Sequence, residues 1–129
     1  MKKIDIACII DDDPIFVFGT KRLMQLANFC NGFLVFKNGK EAYDNLKTSI
    51  IAGEKLPDLI LLDLNMPIWD GWQFLDEFIQ IPIENAVTIF IVTSSIDPED
   101  IKRAKSYEIV SNYLVKPIKM DDLKKLMEE

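Results

Sequence analysis

Residues 59 to 62 read Leu-Ile-Leu-Leu, four aliphatic side chains in succession, and the run stops on Asp63. A strand with one wet face alternates apolar and polar residues. An unbroken apolar run suits a strand buried on both faces, as in a parallel sheet with helices covering each side. The stretch from Pro57 to Pro67 therefore predicts a strand inside such a sheet, with Asp63 at the point where it surfaces. Asp also opens turns in its own right, so this stretch alone leaves the role of Asp63 open.

The pattern recurs along the chain. Ile4 to Ile10 is apolar except for Asp5 and runs into Asp11-Asp12-Asp13-Pro14; Gly32 to Lys37 is a short second strand stopped by Asn38-Gly39. Ala86 to Val92 surfaces on Thr93-Ser94-Ser95, and Ile109 to Val115, diluted by Ser111 and Asn112, surfaces on Lys116-Pro117. Helix signals lie between these runs. Asp13 followed by Pro14 starts a helix to about Asn28, with Phe16, Leu23 and Ala27 toward the sheet. Asn38 with Glu41 resembles a capping box for a helix carrying Ala42, Leu46 and Ile50, closed by Gly53-Glu54-Lys55. Asp70 with Gln73 caps a helix whose apolar face is Phe74, Leu75, Phe78 and Ile79. Asp97-Pro98 opens one with Ile101 and Ala104 inward. The last, about Met120 to Met127, begins with Asp121 and Asp122, as the helix dipole favours. Strands alternating with helices predict an α/β fold, a doubly wound five-stranded parallel sheet with helices on both faces.

At 129 residues the chain fits one domain, residues 1–129, that buries about two-thirds of its unfolded surface. Its net charge of -6 argues against a nucleic-acid surface, which needs clustered Lys and Arg. No apolar stretch approaches the roughly 18 residues of a membrane span. Met1-Lys2-Lys3 is basic, but Asp5 interrupts the short apolar run behind it, so a signal peptide is not expected. Cys8 lies in an apolar run and Cys30 comes after the first helix, which suits two free thiols in a reducing compartment. A cytoplasmic protein is the expectation. The chain has no histidine, which removes the commonest general base, the commonest zinc ligand and every Ser/His/Asp or Cys/His arrangement. Chemistry must then use carboxylates, hydroxyls, lysines or a bound metal.

In doubly wound sheets, ligands bind outside the carboxyl ends of the strands. Those ends carry Asp11 and Asp12, Asp63, Thr93 and Lys116, which must share one rim. Each alone is an ordinary cap, turn or surface residue. If the first and third strands are neighbours, however, three carboxylates converge, and like charges ~4 Å apart repel by roughly 4 kcal/mol per pair at a surface-like dielectric. Such a cluster holds protons or a cation. An all-oxygen site without His or Cys suits Mg²⁺. A Mg²⁺ beside a carboxylate, a hydroxyl and an ammonium suits phosphoryl transfer, with the charge of the equatorial oxygens shared among metal, Lys116 and Thr93. The nucleophile is then a carboxylate, and the product an aspartyl phosphate.

The set Asp11-Asp12, Asp63, Thr93 and Lys116-Pro117, in this order and at these gaps, resembles the response-regulator receiver domain of two-component signalling, in its single-domain, chemotaxis-regulator-like form. The resemblance covers essentially the whole chain and implies a flavodoxin-like strand order of 2-1-3-4-5. It implies that Asp63 is the phosphoacceptor, fed by a sensor histidine kinase or a histidine phosphotransfer protein. Asp12 would bind Mg²⁺ directly, Asp11 through water, and Asn65 through its backbone carbonyl, completing a metal set with Asp63. Thr93 would hydrogen-bond the phosphoryl group, Lys116 would pair with it, and the small Ser94 would leave it accessible. The Lys116-Pro117 bond is cis in the family. Tyr113 matches the switch aromatic that turns inward as Thr93 moves; its plain reading is a half-buried strand tyrosine. Trp72 is expected near the metal. The departures are a long second helix segment through Lys47 to Glu54, an extended Gln80 to Asn85 loop and a short last helix. The resemblance implies a regulatory phosphoacceptor, not an enzyme beyond its own phosphotransfer and dephosphorylation. No output domain is expected, so the expected output is contact with an unknown downstream protein, with neither nucleic acid nor membrane as partner.

Two other readings remain open. Asp11-Asp12-Asp13 after a strand also resembles the opening of haloacid-dehalogenase-type phosphatases, with Asp11 as nucleophile and Asp13 as acid. That reading leaves no room for a cap domain and gives Asp63 no task. The second is a receiver fold used as an unphosphorylated binding module.

Overall fold

The structure, a computed structural model, describes residues 4–83 and 86–128. Met1 to Lys3 and the Glu84-Asn85 part of the loop after the third helix lie outside the described residues. Five strands alternate with five helices: β1 (Ile4–Ile10), α1 (Pro14–Leu26), β2 (Cys30–Phe36), α2 (Gly39–Ile51), β3 (Leu59–Leu62), α3 (Gly71–Phe78), β4 (Thr88–Thr93), α4 (Pro98–Lys105), β5 (Val110–Val115) and α5 (Met120–Glu128). Every strand pair is parallel, in the order β2-β1-β3-β4-β5. The order reverses between β1 and β3, the place where such sheets open a ligand crevice.

The apolar runs are explained by where alternate side chains go. Leu59 and Leu61 of β3 join Ala7, Ile9, Phe90 and Val92 in one core, closed by Met24 of α1 and Leu123 of α5. Ile60 and Leu62 join Cys8, Ile10, Ile89 and Ile91 in a second core, closed by Ala42 and Leu46 of α2, Phe74, Leu75 and Phe78 of α3, and Ala104 of α4. With both faces dry, a polar residue at any position of β3 would be buried without water. Each of its buried side chains contributes about 2 kcal/mol of transfer free energy. Cys8 is buried and Cys30 half-buried, and both are free.

The helix starts follow the caps. The Asp13 carboxylate accepts from Ile15 N and Phe16 N, Asn38 from Glu41 N, Asp70 from Gln73 N and Asp97 from Glu99 N. Helix α1 ends at Leu26, two residues before the expected Asn28. Asn28 takes a left-handed conformation (φ 49°), Phe29 N donates to Met24 O and Asn28 N to Gln25 O. This is a Schellman stop, sealed by the buried Phe29. The deepest residues of α1 are Thr20 and Met24, while Phe16, Leu23 and Ala27 pack beside them.

Three further expectations shift. Ile79 is not part of the apolar face of α3; it is the exposed C-cap. Strand β4 starts at Thr88 and not Ala86, because its partner β3 begins only at Leu59, which pairs with Thr88. Strand β2 starts at Cys30 and not Gly32, because Ile4 of β1 already offers Cys30 a partner.

Candidate functional site

Main-chain hydrogen bonds carry the ladder one residue beyond the strands. Asp11 N donates to Phe36 O at 3.0 Å, Asp63 N to Ile10 O at 3.0 Å, and Lys116 N to Thr93 O at 2.9 Å. Asp11, Asp63 and Lys116 therefore leave the same rim in fixed register. Because β1 and β3 are neighbours, carboxylate oxygens of Asp11, Asp12 and Asp63 all come within 4.8 Å of one another. Asp11 and Asp63 are buried and Asp12 is exposed.

The turn after β3 is held against this cluster by Gly71, whose N–H donates to Leu64 O at 3.0 Å. A Cβ at residue 71 would fall well inside contact distance of the Asp63 carbonyl oxygen. Glycine lets α3 begin directly under the acid cluster.

Lys116 reaches into the cluster, its Nζ 2.7 Å from Asp11 Oδ2 and 3.5 Å from Asp63 Oδ2. The other oxygens are satisfied by main chain: Asp11 Oδ1 accepts from Asp13 N and Asp63 Oδ1 from Leu64 N, each at 2.9 Å. The partner of the buried Asp11 Oδ2 is the Lys116 ammonium at 2.7 Å. Burial pushes the Asp11 carboxyl above the usual aspartate range, more than Lys116 and the Asp13 N–H pull it down. Burial also raises Asp63, and the charge of Asp11 raises it further. For Lys116 burial acts downward, but its contacts with Asp11 and Asp63 outweigh it and the ammonium is held above its ordinary value. One ammonium faces three carboxylates. The excess negative charge and the hard oxygen donors of Asp11, Asp12 and Asp63 fit Mg²⁺.

The family model of the response regulator receiver domain matches residues 7–128. The chain belongs to the response regulator receiver family. It is 30% identical over 124 residues to the probable methanogenesis regulatory protein FilR2 of Methanothrix harundinacea, a match covering 96% of this chain and 79% of that protein. It is 30% identical over 121 residues to the nitrate/nitrite response regulator protein NarL of Escherichia coli, covering 94% of this chain and only 52% of NarL. Among solved structures, a two-component response regulator from Cytophaga hutchinsonii superposes with a TM-score of 0.88 at 30% identity, covering 98% of this chain and 96% of that one.

On the other half of this receiver rim, Thr93 is fully buried and its hydroxyl accepts from Ser95 N at 3.3 Å. Ser94 and Pro117 are exposed, and the Lys116-Pro117 bond is cis. Tyr113 is half-buried and donates its hydroxyl to Ser95 O at 3.0 Å. Ser95, a residue without a sequence signal, is the joint of this half: its own hydroxyl donates to Asp100 at 2.6 Å and accepts from Asp97 N at 3.2 Å. Asn65 is exposed beside the cluster, and its N–H supports the Asp63 carboxylate.

One expectation changes. Trp72, expected near the metal, instead stacks on Tyr107 with ring centroids 5.9 Å apart, with the Arg103 guanidinium 4.5 Å from its ring centroid. The position after Asp70-Gly71 faces the seam between α3 and α4. Asp13 is the cap of α1, as expected, which occupies the carboxylate a phosphatase would need as an acid. Sequence reasoning also missed Phe16 as a site residue, having placed it in the core: its ring centroid lies 4.3 Å from Lys116 Nζ.

Proposed function

We propose that this receiver domain takes a phosphoryl group from a phosphohistidine onto Asp63, with Mg²⁺ bound by Asp11, Asp12, Asp63 and the Asn65 carbonyl. The observation carrying this reading is the convergence of the three carboxylates at one rim with the Lys116 ammonium among them. In the transfer, the N–P bond of the donor imidazole breaks as an Asp63 carboxylate oxygen bonds to phosphorus. The imidazole departs with the N–P electron pair and takes a proton. A bound Mg²⁺ would supply positive charge to the phosphoryl oxygens. Lys116 pairs with one of those oxygens and the Thr93 hydroxyl bonds another. Attack by water on phosphorus later breaks the Asp63–phosphoryl bond and returns the carboxylate and inorganic phosphate.

The signal is a population shift: the phosphoryl group favours whichever arrangement of Thr93 and Tyr113 contacts it better. Both residues already meet at Ser95, so movement of Thr93 is felt by Tyr113. The donor is a sensor histidine kinase or histidine phosphotransfer protein, and the output is contact with a downstream protein. Two free thiols suit a cytoplasmic setting. Among the described residues no helix is long and apolar enough to cross a membrane.

Incubation with acetyl phosphate and Mg²⁺ tests the acceptor: the wild-type chain is expected to take up label, and Asp63→Asn to take up none. Equal labelling of Asp63→Asn overturns the assignment, and label trapped on Asp11 supports the phosphatase reading.

A further inference from the structure

Among the described residues the Lys116 ammonium has three partners. Two are the carboxylates of Asp11 and Asp63, at 2.7 and 3.5 Å, and the third is the face of Phe16, 4.3 Å from Nζ to the ring centroid. The carboxylates are also the groups that suit a metal ion, so two cations have claims on Asp11 Oδ2. A lysine that loses its carboxylate is a compact charge on a flexible stem and follows water unless something else holds it. An aromatic face attracts an ammonium through its quadrupole, yet offers no lone pair to a hard divalent cation.

Phe16 is fixed to the same loop as the acids. Its N–H donates to Asp13 Oδ1 at 3.4 Å in the cap that comes after Asp11 and Asp12. The side chain packs against the core that contains Ile118, two residues beyond Lys116. Packing alone asks only for a large apolar side chain there; the ring-to-ammonium contact asks for an aromatic one.

We propose that Phe16 is a positioning residue of the phosphoryl site, whose ring keeps the Lys116 ammonium over the acid cluster when a metal ion takes the Asp11 carboxylate. The proposal rests on the phosphoacceptor reading for its purpose, but the placement of the ammonium is measurable by itself.

The test compares Phe16→Leu and Phe16→Met, which keep an apolar side chain, with Phe16→Tyr, which keeps the ring. In lysine-¹⁵N-labelled full-length protein at saturating Mg²⁺, the Lys116 ammonium resonance is expected to persist in wild type and Phe16→Tyr and to broaden away in Phe16→Leu and Phe16→Met. Labelling by acetyl phosphate at saturating Mg²⁺ is expected to slow about three- to tenfold in the two aliphatic variants and to stay within about twofold of wild type in Phe16→Tyr. An aliphatic variant that keeps both the resonance and the rate overturns the proposal. So does equal impairment of all three, which makes Phe16 a packing residue. Undiminished labelling of Asp63→Asn would instead remove the phosphoacceptor reading, while the ammonium resonance still decides the placement of Lys116.

Discussion

Lys116 sits closer to Asp11, at 2.7 Å, than to Asp63, at 3.5 Å. The lysine thus pairs more closely with the residue that is not the proposed acceptor. Truncating it strands a carboxylate in a site where Asp11 is almost wholly buried, and breaking a buried pair costs on the order of 3 kcal/mol. Lys116→Met is expected to lower the urea midpoint by about that equivalent in chelator and to recover most of it in Mg²⁺, since either cation neutralises the cluster. A loss of the same size with and without Mg²⁺ would show that Lys116 stabilises through packing of its stem and not through charge.

The raised carboxyls give the metal-free protein a pH signature. Asp11 and Asp63 bind protons more tightly folded than unfolded. Between the ordinary aspartate value and their raised values the folded state carries more protons, so stability falls as pH rises through that window. Lys116, also raised, has the same sign in a higher window: its contribution is complete below its unfolded value and is lost only as strongly alkaline pH passes its folded one. Thermal melts in chelator are expected to show a higher midpoint near about pH 5 than near about pH 7.5. Asp63→Asn is expected to flatten that slope, and a wild-type slope of the other sign would contradict the burial argument.

Gly71 offers a test of the link between turn and site. A methyl group at this position meets the Asp63 carbonyl and the Leu64 Cα, both main-chain atoms that cannot turn aside. Gly71→Ala is expected to cost about 1–3 kcal/mol and to lower Mg²⁺ affinity, because the backbone it displaces carries Asp63. Denaturation together with a Mg²⁺ titration measures both; an unchanged affinity would separate the turn from the cluster.

Ile68 is the converse case. It sits at φ 68°, a left-handed conformation that is costly for a β-branched residue, and its side chain is 75% exposed, so packing returns little. Ile68→Gly is expected to stabilise by about 1 kcal/mol, a rise of roughly 3–6 °C in Tm. A fall in Tm would mean that the exposed side chain contributes more than the backbone strain costs.

The sheet was legible because each central strand is buried on both faces, and an unbroken run such as Leu59 to Leu62 suits few positions outside such a sheet. Caps were legible for a local reason: Asp13, Asn38, Asp70 and Asp97 each bond to an N–H two or three residues on. Strand ends were misjudged where a partner decides them, as Leu59 decides Thr88. The convergence of Asp11, Asp12, Asp63 and Lys116 could be anticipated from their shared place after strands. Phe16 and Ser95 could not. Phe16 reads as one more apolar helix residue, and its value lies in a lysine 100 positions away in the chain. Ser95 matters through where its backbone carbonyl and hydroxyl point, which residue type does not encode. Trp72 was misplaced because nearness in sequence to Asp63 says nothing about which face of α3 it occupies.

The ladder bonds at Asp11, Asp63 and Lys116 have a consequence for how such a chain tolerates change. Strand length here works as a ruler. Adding or deleting a single residue within β1 or β3 would exchange the two cores along that strand and turn its terminal carboxylate to the opposite side of the sheet. Loops between the sheet and the far ends of the helices are free to drift in length, whereas the count of residues from first pairing to rim is part of the site itself.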